Sequence, residues 1–370
     1  MKLNLSLKSL FIMMYIAFAS VGVKAGGGAH EEKFNAKEMI MHHVMDAHEW
    51  HIMGPAHGEG SVSIYLPILL IDGGFKAFSS SNFYHGEEKT YTDPTTGKSV
   101  HYMVSLDKGY GLFHEKIYKL NEFGELDFDT ALHPINAKPL DLSITKNVLS
   151  LIFGALLIFI IMFAVAKFYK TRGHAESPKG IAKFLEPIIL MVRDNIAKSN
   201  IDEHKYEKYV PYLLTIFFFI WFNNMLGLIP IIPGGANLTG NISVTFFLAL
   251  CTLLVTVFSG NKNYWKHIFA TPGVPVPLLI IMVPIELVGV LTKPFALMIR
   301  LFANITAGHI IILSLIAIIF VNKSAAWGGL SVPMALFISV LELLVAFLQA
   351  YLFAMLSALF IGAAVEEAHH

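Results

Sequence analysis

Apolar residues gather in five long runs, at about 147–167, 210–232, 242–259, 277–321 and 332–365, separated by short polar joints. A helix of about 20 apolar residues spans the roughly 30 Å hydrocarbon core of a bilayer. The first three runs therefore predict single crossings, and the last two are long enough for tilted helices that exceed one crossing. The expected fold class is an all-α polytopic membrane protein with about five transmembrane helices, the last two forming a long tilted hairpin closed by residues 322–330. Between the first two runs, residues 181–200 alternate Phe184, Leu185, Ile188, Ile189, Val192 and Ile196 with Lys183, Glu186, Arg193, Asp194 and Lys198. That pattern predicts an amphipathic helix, lying on the cytoplasmic membrane surface or packed on a partner subunit.

Ahead of the first run the pattern changes. Residues 26–142 are polar and mixed, residues 61–67 alternate like a strand, and Asp93-Pro94 reads as a turn. A small extramembrane domain is expected there. Residues 1–25 carry Lys2 and Lys8, an apolar stretch at 10–19 and then Val23-Lys24-Ala25, the order of a signal peptide, with an uncleaved first membrane helix as the alternative. The expected division is a signal peptide over 1–25, a periplasmic extension over 26–146 and a membrane domain over 147–370.

Composition agrees with this division: of 370 residues, 55% are hydrophobic and 15% charged. The formal net charge is zero and the basic residues are scattered, so no nucleic-acid partner is expected. Cys251 is the single cysteine, which excludes an internal disulfide and a cysteine metal cluster. Lys167, Lys170, Arg172, Lys179 and Lys183 follow the first run, and Lys262 and Lys266 the third, while residues 233–240 carry no charge. The positive-inside rule then makes the basic loops cytoplasmic, residues 26–146 external and the C-terminus internal. The setting expected is a bacterial inner membrane.

Arg300 stands inside the fourth run. An arginine at a bilayer centre costs roughly 2.5–3.5 kcal/mol on insertion scales and faces a partner or a water-filled path. It cannot deprotonate, so it suits a fixed electrostatic gate better than a relay. A snorkelling Arg is the ordinary alternative. At about 100° per residue, Glu286, Lys293 and Asn304 all fall within about 40° of Arg300, forming one polar stripe. An ion-pair network that only holds helices together is the competing reading of that stripe. In the fifth run, Glu342 and Gln349 are seven residues apart and share a face. An antiparallel hairpin pairs positions totalling about 650, which sets Arg300 level with Gln349 and His309 level with Glu342, in two layers roughly 13 Å apart. Histidine titrates near neutral pH, so the second layer has the makings of a proton-accessible site. His309 points about 180° from Arg300 unless Gly308 bends the chain, which separates the entry path from the gate.

These segments, Glu286 to Gly308 and Glu342 to Ala354, resemble subunit a of the F-type ATP synthase. The likeness extends through Asn223-Asn-Met-Leu-Gly-Leu-Ile-Pro230 and Asn241-Ile-Ser-Val-Thr and covers residues 147–365. It implies a non-catalytic, proton-translocating stator subunit that offers two half-channels to a c-subunit ring, contacts a b-subunit peripheral stalk and couples indirectly to the F1 sector. By that resemblance Arg300 matches the arginine facing the ring. His309 and Glu342 match the outer half-channel, with the acid and the histidine exchanged relative to many bacterial members, and Glu286 matches the inner half-channel. Asn241 and Ser243 fall where an Asp and an Asn are frequent, which bears on the inner path, and Asn224 is a further half-channel candidate. No cofactor or metal is implied. The extension over 26–142 exceeds what many members carry, with stalk docking or capping of the channel mouth as its possible roles.

Two other classes compete. A stand-alone transporter or channel predicts inverted repeats, and none is visible. A metal-binding protein with a membrane anchor is suggested by His42, His43, His48, His51 and His57 with Asp46 and Glu49, although their spacing matches no specific site.

Overall fold

A computed structural model describes residues 36–53, 62–94, 97–107, 109–172, 180–229, 234–270 and 275–367. The expected signal segment, His57 and the side chains of His42 and His51 lie outside the described residues.

The extramembrane domain is built mainly of strands, where the sequence had signalled one strand and one turn. After α1 (Ala36–Val44) come β1 (Glu49–Met53), β2 (Val62–Tyr65), β3 (Pro67–Ile71), β4 (Phe75–Ser79), the short α2 (Ser81–Tyr84), β5 (Glu87–Thr92), β6 (Ser99–Val104), β7 (Tyr110–Phe113), β8 (Lys116–Lys119) and β9 (Leu140–Asp141). They form three small antiparallel sheets, ordered β1-β2, β4-β3-β9 and β5-β6-β7-β8. Period-2 alternation drives Ile68 and Leu70 of β3 inward, where they meet Phe83, Tyr110, Leu112 and Ile117. A second cluster gathers Tyr102, Val104, Phe113, Tyr118, Leu120 and Leu126 around β6 and β7. The anticipated turn at Asp93-Pro94 is present and closes with the Gly97 amide donating to the Asp93 carbonyl.

Among the described residues, five helices are long and apolar enough to cross a membrane. They are α3 (Lys146–Arg172), α5 (Tyr206–Leu228), α6 (Ile242–Ser259), α8 (Val276–Val321) and α9 (Gly328–Val365). α5 and α9 each begin four residues ahead of the expected run. The additional turns are Tyr206–Tyr209 and Gly328–Ser331, whose polar and small residues an apolar count passes over. Pro333 lies inside α9, past its first turn, and leaves the Gly329 carbonyl without a backbone N–H from that position.

The core is set by α9. Ala346, Ala350, Ala354, Ala358 and Gly362 recur every four residues on one face, and all four alanines are buried. Small side chains let helix backbones approach closely, which supplies packing where lipid gives no hydrophobic drive. α9 packs on α5, and Phe217 and Trp221 of α5 stack edge-on against Phe347. At Gly362 a side chain would overlap the Asn200 carbonyl. That contact docks the segment between α3 and α5, which is α4 (Ile181–Met191) continued by a π-helical stretch at Val192–Lys198. This segment buries Ala182, Leu185, Val192 and Ile196 against the chain's own helices and leaves Ile181, Phe184 and Leu190 exposed.

The two ends of the bundle are distinct. At one end the last carbonyls of α9 are met by Asn261, whose Nδ2 donates to Val365 O at 2.7 Å, and by Lys205, whose Nζ donates to the same oxygen at 3.0 Å. A cation there complements the helix dipole. At the other end, the extramembrane domain joins the heads of α3 and α6, and α1 packs against α8.

Candidate functional site

The α8–α9 hairpin has the register the sequence implies. A Cβ at Gly308 would overlap the Glu342 carboxyl, a pair whose numbers total 650. Gly308 thus makes room for Glu342, where the sequence had suggested only a bend. Glu342 is 4% exposed, and neither carboxyl oxygen has a hydrogen-bond partner among the described residues. A buried carboxyl in that state must be protonated or met by water.

His309 is half-buried and turns toward α5: its Nε2 lies 3.9 Å from the Cβ position of Gly227. Among the described residues it forms no ion pair with Glu342, so the two share a level without touching. Gly227 also abuts the buried, uncharged stretch from Ala236 to Thr239. There Thr239 Oγ1 donates to Asn224 Oδ1 at 2.6 Å, and Asn224 Nδ2 donates to Ala346 O at 3.4 Å. Asn224 is therefore a buried tie between the loop, α5 and α9.

Arg300 occupies a different face. It is exposed, as are Lys293 and Asn304, and Glu286 is half-buried. Leu297, Leu301 and Ile305 are centred about 100° around the helix from Arg300 and are buried at 2%, 1% and 3%. Ala296, Ala303, Ala307 and Ile311 are exposed and lie within about 60° of Arg300 around the helix. The guanidinium thus rises among exposed alanines, and it has no hydrogen bond or ion pair among the described residues. Gln349 is buried at 4% and makes no hydrogen bond with Arg300.

Toward the far end of α8, α7 (Lys262–Phe269) brings Tyr264 within range of Glu286. Burial and then the Glu286 charge push the Tyr264 hydroxyl above its usual pKa. Lys293 Nζ lies 5.8 Å from the centre of the Phe360 ring, beside a cavity of about 20 Å³ lined also by Thr256 and Tyr264. Such a space is about the size of one water. Tyr264 was not anticipated, because nothing in its local sequence reports that α7 folds back on α8.

The sequence reading grouped Asn241 and Ser243 with Glu286, and the structure separates them. Asn241 caps α6 at the end of the bundle that joins the extramembrane domain, accepting from Ser243 N at 2.9 Å, and Ser243 is exposed. Glu286 lies at the opposite end, next to α7.

The histidine-rich segment does not assemble a metal site among the described residues. His48 instead sits between Glu115 at 3.7 Å and Asp141 at 3.6 Å.

A family model described as "ATP synthase A chain" matches residues 148–362, more than half of the chain. The chain belongs to the ATP synthase subunit a family. It is 41% identical over 310 residues to ATP synthase subunit a of Chloroherpeton thalassium, covering 82% of this chain and 89% of that protein. ATP synthase subunit a 2 of Chlorobaculum tepidum is 48% identical over 253 residues, 67% and 69% of the two chains. ATP synthase subunit a of Myxococcus xanthus is 48% identical over 237 residues, 62% and 76%. A second model, "Domain of unknown function (DUF8433)", matches residues 39–142, the strand-rich domain. The chain is a multi-pass, proton-translocating stator subunit of the Fo membrane sector, non-catalytic on its own.

Proposed function

We propose that the exposed stripe of α8 faces a rotating ring of c subunits, with Arg300 as the barrier between two proton half-channels. The observation that carries this reading is an unpaired guanidinium standing among exposed alanines. Small residues admit a close-packed partner helix, and the cation is open to a carboxylate on it. The outer half-channel passes His309, Glu342, Asn224 and the head of α6 at Asn241 and Ser243. The inner one passes Glu286, Lys293 and Tyr264. Asn304 and Gln349 flank the gate, one beside Arg300 on the stripe and the other at its level on α9.

In this scheme a proton entering through the outer path neutralises a rotor carboxyl, which then leaves the Arg300 field and turns through lipid. After almost a full turn the carboxyl meets the inner path and releases its proton. The returning carboxylate is stabilised by Arg300, since an opposite charge within about 4–6 Å lowers a carboxyl pKa by about 1–3 units. Each proton crossing about 100 mV releases about 2.3 kcal/mol. Loop charges support an orientation with residues 26–146 outside and the C-terminus inside, behind a signal peptide at 1–25. A b-subunit stalk would hold the chain against the ring's drag.

ATP-driven acidification of inverted vesicles tests this at matched assembly of the complex. Arg300→Ala should abolish acidification while the detached soluble sector still hydrolyses ATP. Undiminished acidification would make Arg300 a structural residue.

A further inference from the structure

One polar region is left over by this scheme, where the strand-rich domain meets the heads of α3 and α6. A partly open cavity of about 460 Å³ lies there, lined by Asp46, His48, Glu115, Lys116, Asp141 and Thr145 among others. Asp46 Oδ2 accepts from Thr145 Oγ1 at 3.0 Å and from Asn241 Nδ2 at 3.4 Å, and its Oδ1 accepts from Asn147 N at 3.0 Å. One carboxyl therefore touches the cavity, the first turn of α3 and the cap of α6. Beside it Lys146, 8% exposed, donates to the His43 carbonyl at 3.2 Å. Lys146 lies within electrostatic range of Asp46, Glu115 and Glu49, and also of His309.

We infer that this cavity is an antechamber to the outer proton path, and that Asp46 takes protons from its water and releases them toward His309 and Glu342. The inference rests on the reading of His309 and Glu342 as the outer half-channel. Asp46 becomes a neutral acid on uptake and a carboxylate again on release, so each passage moves one proton and leaves the group unchanged. The charged groups that face it are Lys146 and His48. Around the cavity the carboxyls of Asp46, Glu49, Glu115 and Asp141 face the cations Lys146, His48 and Lys116, a net negative balance while Asp46 is ionised that draws a proton to it.

The electrostatics agree with a relay. Burial holds Asp46 above the ordinary carboxylate range, against the hydrogen bonds from Asn147 and Thr145 and the charge of Lys146. Burial opposes charge on His48, but Asp141 and Glu115 outweigh it and raise its pKa to about 9, so it stays a fixed cation at neutral pH. A clamp that only tied the domain to the helices would survive with an amide, whose single oxygen accepts from Asn147 N while its NH2 donates to the Thr145 hydroxyl, a group that accepts as well as donates.

The test uses the assembled complex in vesicles with the strand-rich domain outward. Proton uptake driven by an imposed gradient is followed from about pH 6 to about pH 8.5 outside, above the free aspartic-acid value of about 4. Asp46→Asn should slow uptake about tenfold at the alkaline end, less than the hundredfold or more a positioned proton-transfer group supplies, because cavity water offers a parallel route. Uptake should recover toward wild type as the outside is acidified, and Asp46→Glu should stay near wild type throughout. Equal rates for Asp46→Asn and wild type at every pH would overturn the inference. Should Asp46→Asn fail to assemble, Lys116→Cys in a Cys251→Ser background can be loaded with a bulky, membrane-impermeant maleimide, with Cys251→Ser alone as control. Filling the cavity should then block uptake, and full labelling with no loss would also overturn the inference. Glu342→Gln and His309→Ala separate the two levels: if both conduct normally the half-channel reading itself fails, whereas normal Asp46→Asn beside blocked Glu342→Gln removes only the antechamber.

Discussion

Two cations in this chain are treated in opposite ways. His48, in the strand-rich domain, is buried at 1% exposure and wedged between Glu115 and Asp141. Arg300, in the membrane domain, is exposed on an apolar helix and has no partner within the described chain. A charge satisfied by its own fold is a structural element, whereas one left open in an apolar setting marks the surface where a partner must arrive. The same contrast separates the buried, unpartnered Glu342 from the hydrogen-bonded Asn224.

The comparison breaks most severely if Arg300 is dispensable. Arg300→Ala should reduce gradient-driven ATP synthesis to background. Glu342→Gln comes next and should slow synthesis by about a hundredfold or more, the range for a positioned proton-transfer group, with the complex still assembled. Gly308→Val would sharpen the point by pushing a side chain into the Glu342 carboxyl. A loss comparable to Glu342→Gln is expected, read as synthesis rate against assembly on native gels.

His48→Ala should act on stability instead. It leaves Glu115 and Asp141 without their shared cation and should loosen the strand-rich domain by about 1–3 kcal/mol, measured by hydrogen exchange over β7 and β8, with transport retained. The pH dependence has a definite sign. His48 is raised from 6.5 to about 9 in the fold, so its contribution is fully present below about pH 6.5 and is lost as pH climbs through about 9. Exchange protection should fall across that window in wild type and be flat in His48→Ala. Asn241→Ala is the smallest change, about 0.5–2 kcal/mol from loss of the α6 cap.

The membrane helices were legible because an apolar run of fixed length is a local signal, and the hairpin register followed from residue counting once two helices were paired. Which face His309 takes was legible as well, from its nine-residue offset to Arg300. The strand-rich domain was not. β7 reads Tyr-Gly-Leu-Phe and is buried throughout, so it shows no alternation, and its pairing with β6 and β8 is set by tertiary packing. Asp46 looked like an oxygen ligand in a histidine-rich stretch because its partner Asn241 lies 195 residues away. Asn241 and Ser243 stand apart from Glu286 for a similar reason: a motif locates residues along the chain, and only the bundle shows which end they occupy.

In the proposed scheme Arg300 keeps two proton paths apart. This separation is tested most directly by the passive proton conductance of membranes carrying fully assembled Arg300→Ala complex with the soluble sector bound. The account predicts a leak that dissipates an imposed gradient without ATP synthesis. Membranes that stay tight and still synthesise ATP at the wild-type rate would contradict it.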